Sequence, residues 1–346
     1  MMKSQKLVSL VKGEDRHRNI YRCLELIQAD LSPIKEKRKI LIKPNLTATR
    51  NKYANTDKSA VEAILDFLSD FDVNFKNKEV TILEGSGSAY YEGVSTEEVF
   101  RQYGYYDLAK KYGNLRIESI DNCSDFITVK IRSVAGEEEV RIVRRIKDFD
   151  YKISVNLPKT HNYAIATLGI KNMAGLIKQD DKSLVHGLRT PSAPDAKTVF
   201  THIPTAWISW ARRRFPQAID VIFKHSSAYS KSMKVIHHNI AEIAKLTWPD
   251  LVVIDGFTAM EGRGPVDGEP VKLEVAIASA DPLKADGIAS RVIGLEPQDI
   301  GYLFYLNQMG WGDYSLNGLV GDDLNKVRKK IKLHPTFNIQ KDWMAE

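Results

Sequence analysis

Residues 151–161 read Tyr-Lys-Ile-Ser-Val-Asn-Leu-Pro-Lys-Thr-His. Tyr151–Val155 is an apolar run of strand length. It stops on Asn156-Leu157-Pro158-Lys159-Thr160-His161, which sets an amide, an ammonium and an imidazole side by side. The same grammar recurs elsewhere. Lys39–Lys43 runs into Pro44-Asn45, and Glu79–Leu83 into Glu84-Gly85-Ser86-Gly87. Asp250–Ile254 runs into Asp255-Gly256, and Leu273–Ser279 into Ala280-Asp281-Pro282. These runs are rich in Val and Ile, and most are followed by helical patterning. In an open parallel sheet, ligands sit beyond the carboxyl ends of the strands. The expected fold is α/β: a mainly parallel open sheet with helices on both faces and the polar strand ends gathered along one edge.

The flanking sequence supports this alternation. Lys6–Val11 reads as a first strand. Arg16–Ala29 reads as a helix with Ile20, Cys23, Leu24 and Ile27 at helical spacing. Asp57–Ser69, Thr96–Tyr103, Ile236–Leu246 and Leu283–Val292 read as further helices. Leu115–Ile120, Phe126–Ile131 and Glu139–Val143 look like short strands, with a hairpin turn at Gly136. They suggest a small antiparallel excursion over 115–145. Residues 180–234 are irregular, and Lys182–Lys234 is basic, with Trp207 and Trp210 beside Arg212-Arg213-Arg214. The expected organisation is one α/β domain over 1–320, then a C-terminal helix and tail over 321–346.

Composition narrows the class. The chain has 346 residues, 43% apolar and 27% charged, as for an ordinary globular protein. Its 50 basic and 44 acidic residues give a net charge of +6, a mild excess that permits anionic partners. Cys23 and Cys123 are too few for an iron–sulfur cluster or a four-cysteine zinc site in this chain. They do not form a secreted disulfide framework, and no signal-like segment opens the sequence. A cytoplasmic location is the expectation, with no membrane partner.

The strand-end motifs carry the chemistry. Lys43-Pro44-Asn45 ends a ladder at a residue without an N–H, and offers a cation and an amide to an anion or carbonyl. Gly85, Ser86 and Gly87 could cradle an oxyanion with backbone N–H groups, or form an ordinary tight turn. They lack the lysine and spacing of a Walker A loop. Lys159 could act as a base if desolvation lowers its pKa, and His161 with little tuning. Asn156 and Thr160 flank them as substrate contacts. Gly169-Ile170-Lys171-Asn172-Met173-Ala174-Gly175 brings a second Lys-Asn pair on a helix of small residues. Met260-Glu261-Gly262-Arg263-Gly264-Pro265 reads as a flexible loop whose Arg263 could clamp a carboxylate or phosphate. Glu84, Asp255 and Asp281 are the candidate Mg²⁺ ligands. Asp281 also suits a helix cap before Leu283.

Read together, these segments resemble the domain-of-unknown-function family 362. The matching pieces are Lys43-Pro44-Asn45, Leu157-Pro158-Lys159-Thr160-His161, Leu168–Gly175, Asp255-Gly256 with Met260–Pro265, and Ala280-Asp281-Pro282, in the family's order over about residues 38–295. The resemblance implies a single α/β unit without a settled reaction. Many members carry a ferredoxin-like module with Cys-x-x-Cys clusters, which two cysteines cannot supply here. Lys284 departs from the family's more apolar version of its segment.

The expected function is an enzyme on a small substrate bearing a phosphate or carboxylate. Lys159, His161 and Lys171 would be catalytic. Lys43, Asn45, Gly85, Ser86, Gly87, Asn156, Thr160, Asn172 and Arg263 would bind substrate, and Glu84, Asp255 and Asp281 would hold Mg²⁺. Isomerase- or racemase-like proton transfer and phosphoryl or acyl-phosphate transfer both suit this set. One alternative is a non-catalytic accessory that docks with an iron–sulfur partner. Another is nucleic-acid binding through residues 182–234.

Overall fold

The structure is a computed structural model that describes residues 5–187, 210–211, 214–218, 221 and 227–344. Most of the basic 182–234 segment lies outside the described residues, including Trp207 and Arg212-Arg213. The accessory and nucleic-acid alternatives both rest on that segment.

The parallel core of the sheet is built from β2 (Lys39–Lys43), β3 (Glu79–Glu84), β4 (Leu115–Ser119), β7 (Tyr151–Asn156) and β10 (Leu251–Glu261), and β1 (Val8–Lys12) lies outside it. β5 (Phe126–Ser133) and β6 (Gly136–Val143) form a separate antiparallel hairpin. The short strands β8 (Lys159–His161) and β9 (Ile165–Thr167) extend the sheet beyond β7. β11 (Glu269–Ser279) and β12 (Leu319–Gly321) complete ten strands. The spatial order is β12-β1-β11-β10-β7-β2-β3-β4. The pairs from β10 across to β4 are parallel, as is β1 with β12, and β11 runs against both its neighbours.

Alternating side chains bury both faces. Ile40, Ile42, Val80, Ile82, Ile153, Leu251 and Val253 pack under α1 (Arg16–Leu26) and α2 (Lys58–Phe71). Ile20, Cys23, Leu24 and Ile27 are buried there as their spacing predicts. Leu41, Leu83, Val252 and Ile254 belong to the other core. That core takes in α7 (Ser227–Thr247), α8 (Pro282–Val292) and α9 (Gly301–Gln308). A strand buried on both faces reads as a continuous apolar run, which is why periodicity alone does not give its orientation. The C-terminal segment packs into the same core. Trp343 is buried, and Gln340 Oε1 accepts from Ile165 N at 2.9 Å.

Three expectations change. Leu115–Ser119 is no part of the antiparallel excursion: it is the parallel edge strand next to β3. The charged glycine loop after Ile254 is mostly strand. β10 continues through Asp255-Gly256 to Glu261, with a register shift between Gly256 and Thr258. β11 then returns antiparallel after a short turn, so Ala280-Asp281 lies at the opposite edge from the other polar strand ends. A connection of seven residues, 262–268, suits a hairpin, whereas a parallel crossover needs a dozen or more.

Candidate functional site

The ends of β2, β3 and β7 are adjacent, and the segment after β7 folds back over them. β8 and β9 carry the chain into α6 (Gly169–Asn172). Asp286 of α8 fixes that helix. Its two oxygens accept from Gly169 N at 2.7 Å and Ile170 N at 2.9 Å. Asp286 is fully buried, and burial pushes its carboxyl up to about 7 against the two N–H bonds. Sequence reading left Asp286 without a role.

One hydrogen-bonded frame joins the strand ends to α6. Lys43 Nζ donates to Glu84 Oε2, to Pro44 O at 2.7 Å and to Asn172 Oδ1 at 3.2 Å. Asn45 Nδ2 donates to the same Asn172 oxygen at 2.9 Å. Asn172 Nδ2 donates to Lys43 O and Ser154 Oγ. Lys159 Nζ donates to Asn45 Oδ1 at 2.8 Å, Ala54 O at 2.8 Å and Thr47 Oγ1 at 3.4 Å. Lys43, Asn45, Glu84, Lys159 and Asn172 are all buried. The structure therefore brings these five residues together.

The frame changes what two of the lysines can do. An ammonium has three donors and no acceptor. Lys43 and Lys159 each spend all three on protein oxygens, so neither has an N–H left for a substrate. Burial lowers the Lys43 amine, and the Glu84 carboxylate works against that. Burial, with the Lys171 and Lys43 cations, holds Lys159 well below the usual lysine range, while Glu84 offsets part of this.

Lys171 is different. It is half-buried, and among the described residues its Nζ has no hydrogen bond or ion pair. Burial brings its amine down to about 8. Lys182 is a fourth lysine, missed from sequence because it opens the irregular basic stretch. Its Nζ donates to Gly85 O, and burial brings it to about 8, with Glu84 working against the shift. Three lysines, Lys43, Lys159 and Lys182, thus act on the Glu84 carboxylate, and Lys171 acts on Lys159.

His161 is buried on β8 and held by its backbone. Nδ1 accepts from Tyr163 N at 3.0 Å and Ala164 N at 3.1 Å. In the neutral ring the proton must then sit on Nε2. The His186 ring stacks on it, 6.0 Å between centroids and 16° between planes. Burial, then Lys171, His186 and Lys159, holds His161 well below the usual histidine range. It is a neutral donor through Nε2, and among the described residues that nitrogen has no partner. To serve as a base, it would have to move its proton to Nδ1 and lose two backbone bonds. Asn156 is fully buried and leaves its Oδ1 without a partner.

Other predicted residues stand elsewhere or are already occupied. Gly85 N donates to Glu84 Oε1, Ser86 N to Thr96 Oγ1 and Ser88 N to Thr47 O, so this turn is not an open oxyanion cradle. Gly87 opens a short helix, Gly87–Tyr91. Thr160 Oγ1 donates to Gly262 O and accepts from Gly264 N, pinning the turn after β10. Arg263 is half-buried on that turn, with Nη1 3.5 Å from Pro216 O, and no contact among the described residues ties it to the lysine frame.

The structure does not assemble the expected Mg²⁺ ligands. Glu84 pairs with Lys43. Asp255 points to α1, where Arg16 Nε lies 3.1 Å from it, and burial raises its carboxyl to about 6. Asp281 caps α8 at the far edge, accepting from Leu283 N at 3.0 Å. Among the described residues, no three His, Cys, Asp or Glu side chains are placed to hold a metal ion. No helix among them is long and apolar enough to cross a membrane.

Known proteins similar to this chain include the thylakoid-associated protein sll1697 of Synechocystis sp., 25% identical over 161 residues. The match takes in 46% of this chain and 38% of that relative. The lactate racemase apoprotein from Thermoanaerobacterium thermosaccharolyticum aligns with a TM-score of 0.43 and 12% identity, over 74% of this chain and 51% of that one. A sequence profile of the family described as domain of unknown function (DUF362) matches residues 40–291, and the chain belongs to that family.

Proposed function

We propose that the chain is an enzyme that binds a small anionic substrate at the carboxyl edge of the sheet and moves a proton there. One observation carries the reading: Lys43, Lys159 and Lys182 crowd the Glu84 carboxylate, and Lys171, whose charge acts on Lys159, has no partner among the described residues. A buried excess of positive charge is costly unless an anion offsets it. The roles differ from those expected of the sequence. Lys43, Asn45, Lys159 and Asn172 form the frame. Lys171 supplies the amine that takes up or gives the proton, since an amine near 8 is partly neutral at physiological pH. His161 donates through Nε2 to negative charge that develops on the substrate.

A thermal-shift panel tests this. It would run small carboxylates, phosphorylated metabolites and nucleotides, with and without Mg²⁺, on wild type and Lys171→Met. A ligand at 100 times its dissociation constant stabilises by about 2.7 kcal/mol, a shift of a few degrees. The expected result is a carboxylate or phosphate whose shift is lost in Lys171→Met. A hit retained in the mutant would move the site away from Lys171. Silence across the panel from a folded protein would remove the enzyme reading.

A further inference from the structure

Lys171 has no partner among the described residues, and its charge acts on His161, a histidine that offers only a proton. We propose that Lys171 is a nucleophile that condenses with the carbonyl of a small 2-oxo acid to form an imine. The inference rests on the reading above and names its substrate class.

The geometry separates Lys171 from the other lysines of the cluster. Lys43 and Lys159 are locked by three acceptors each, and Lys182 is bonded to Gly85 O. Attack on a carbonyl needs a free lone pair and room around the nitrogen. Lys171 is half-buried and has neither a hydrogen bond nor an ion pair among the described residues. Its helix is short and rigidly seated, because Asp286 holds the Gly169 and Ile170 N–H groups while Asn172 is bonded into the frame. Only Lys171 of this helix therefore reaches outward with a reactive end. Burial keeps a useful fraction of the amine neutral.

The partners needed for the reaction are present. The amine nitrogen forms a bond to the carbonyl carbon. The carbonyl oxygen gains the proton that the nitrogen loses, giving a carbinolamine. Loss of a second nitrogen proton and of that hydroxyl as water then leaves the C=N bond, with no net oxidation or reduction. His161 Nε2–H is a fixed neutral donor for the carbonyl oxygen as charge builds on it. The net positive charge of the lysine cluster attracts an anionic substrate at a distance, although Lys43 and Lys159 have no N–H to give it. That asymmetry selects a carbonyl compound carrying an anion over a neutral ketone.

Borohydride trapping followed by peptide mapping of the whole protein tests the proposal. The probes are glyoxylate and pyruvate, with acetone as a neutral carbonyl and glycolate as an anion without one. The expected result is a stable adduct on Lys171 with at least one 2-oxo acid, equal in mass to the acid less one oxygen atom. It should be at least tenfold weaker with acetone, absent with glycolate and absent from Lys171→Arg. Mapping the wild type locates the adduct even if that variant does not fold. No adduct with either acid, or one spread over surface lysines, overturns the imine. If glycolate or pyruvate still stabilises wild type but not Lys171→Met, the anion site stands and only the imine falls. If no anion of the ligand panel stabilises the protein and no adduct forms, both readings fall.

Discussion

Asn172 Oδ1 accepts from both Asn45 Nδ2, at 2.9 Å, and Lys43 Nζ, at 3.2 Å, so one amide oxygen of α6 ties together both polar residues that end β2. The short helix is thereby held by the sheet on one side and by Asp286 on the other. Lys171, between Ile170 and Asn172, inherits that fixed position.

The frame depends on its one carboxylate. Glu84→Gln keeps the size of the side chain but leaves the Lys43 ammonium buried without a counter-charge. Removing one partner of a buried pair costs about 3–5 kcal/mol. The expected outcome is a lower urea midpoint at neutral pH. The loss should shrink toward alkaline pH, where Lys43 can shed its proton. A variant as stable as wild type would show that Lys43 is already neutral in the folded protein.

His161 is expected to stay neutral and protonated on Nε2 from about pH 5 to 8, the range in which an unperturbed histidine titrates. Nitrogen chemical shifts of the labelled ring measure this directly. A titration near 6.5, or a proton on Nδ1, would contradict the two backbone bonds at that atom. His161→Gln should lower activity more than stability, because the donor that faces the site is lost.

The readable parts of this chain are those where pattern and chemistry coincide. Ile20, Cys23, Leu24 and Ile27 are buried at their helical spacing, and Lys43, Asn45, Lys159, Lys171 and Asn172 do meet at the strand ends. The reversal of β11 was not legible: the runs read from sequence stop at Ile254 and resume at Leu273, a gap long enough for a crossover, and only the extension of β10 to Glu261 shortens it. It was obscured by glycines that resemble a ligand loop. What the sequence did not reveal is how donors are shared. Lys159 and Lys171 are equivalent as letters, yet one is saturated by Asn45, Thr47 and Ala54 and the other is open. Asp286 and Lys182 join the site from distant segments, so only tertiary contact assigns them.

Asp286 gives stability a specific pH dependence. Its folded pKa is raised, to about 7 against 3.8 when unfolded. Between those values the folded state binds more protons than the unfolded state, so this group lowers stability as pH rises. Its contribution is fully present below 3.8 and is lost as pH passes through about 7. Asp286→Asn should remove that downward slope in a series of urea unfolding curves from pH 4 to 8. It should also loosen α6, since an amide cannot accept from both Gly169 and Ile170 through two oxygens. An unchanged slope would place the titration elsewhere.

Gly175 tests whether the frame tolerates any displacement. A Cβ at this position would lie 2.6 Å from Lys43 Nζ, 2.8 Å from Lys43 Cε and 3.1 Å from Glu84 Oε1. A surface lysine would swing aside at little cost. Lys43 cannot, because it is fully buried and bonded to Glu84, Pro44 and Asn172. Gly175→Ala must therefore break the ion pair or push the turn that carries Gly175 away from the sheet. Overpacking of this kind costs about 1–3 kcal/mol, and disturbing the pair adds to it. The expected result is a lower melting temperature together with weaker binding of any anion found by the ligand panel. Gly113→Ala, where a Cβ meets nothing within 4 Å, is the control and should change neither. If Gly175→Ala behaves like that control, the Lys43–Glu84 contact is not the fixed centre of the site.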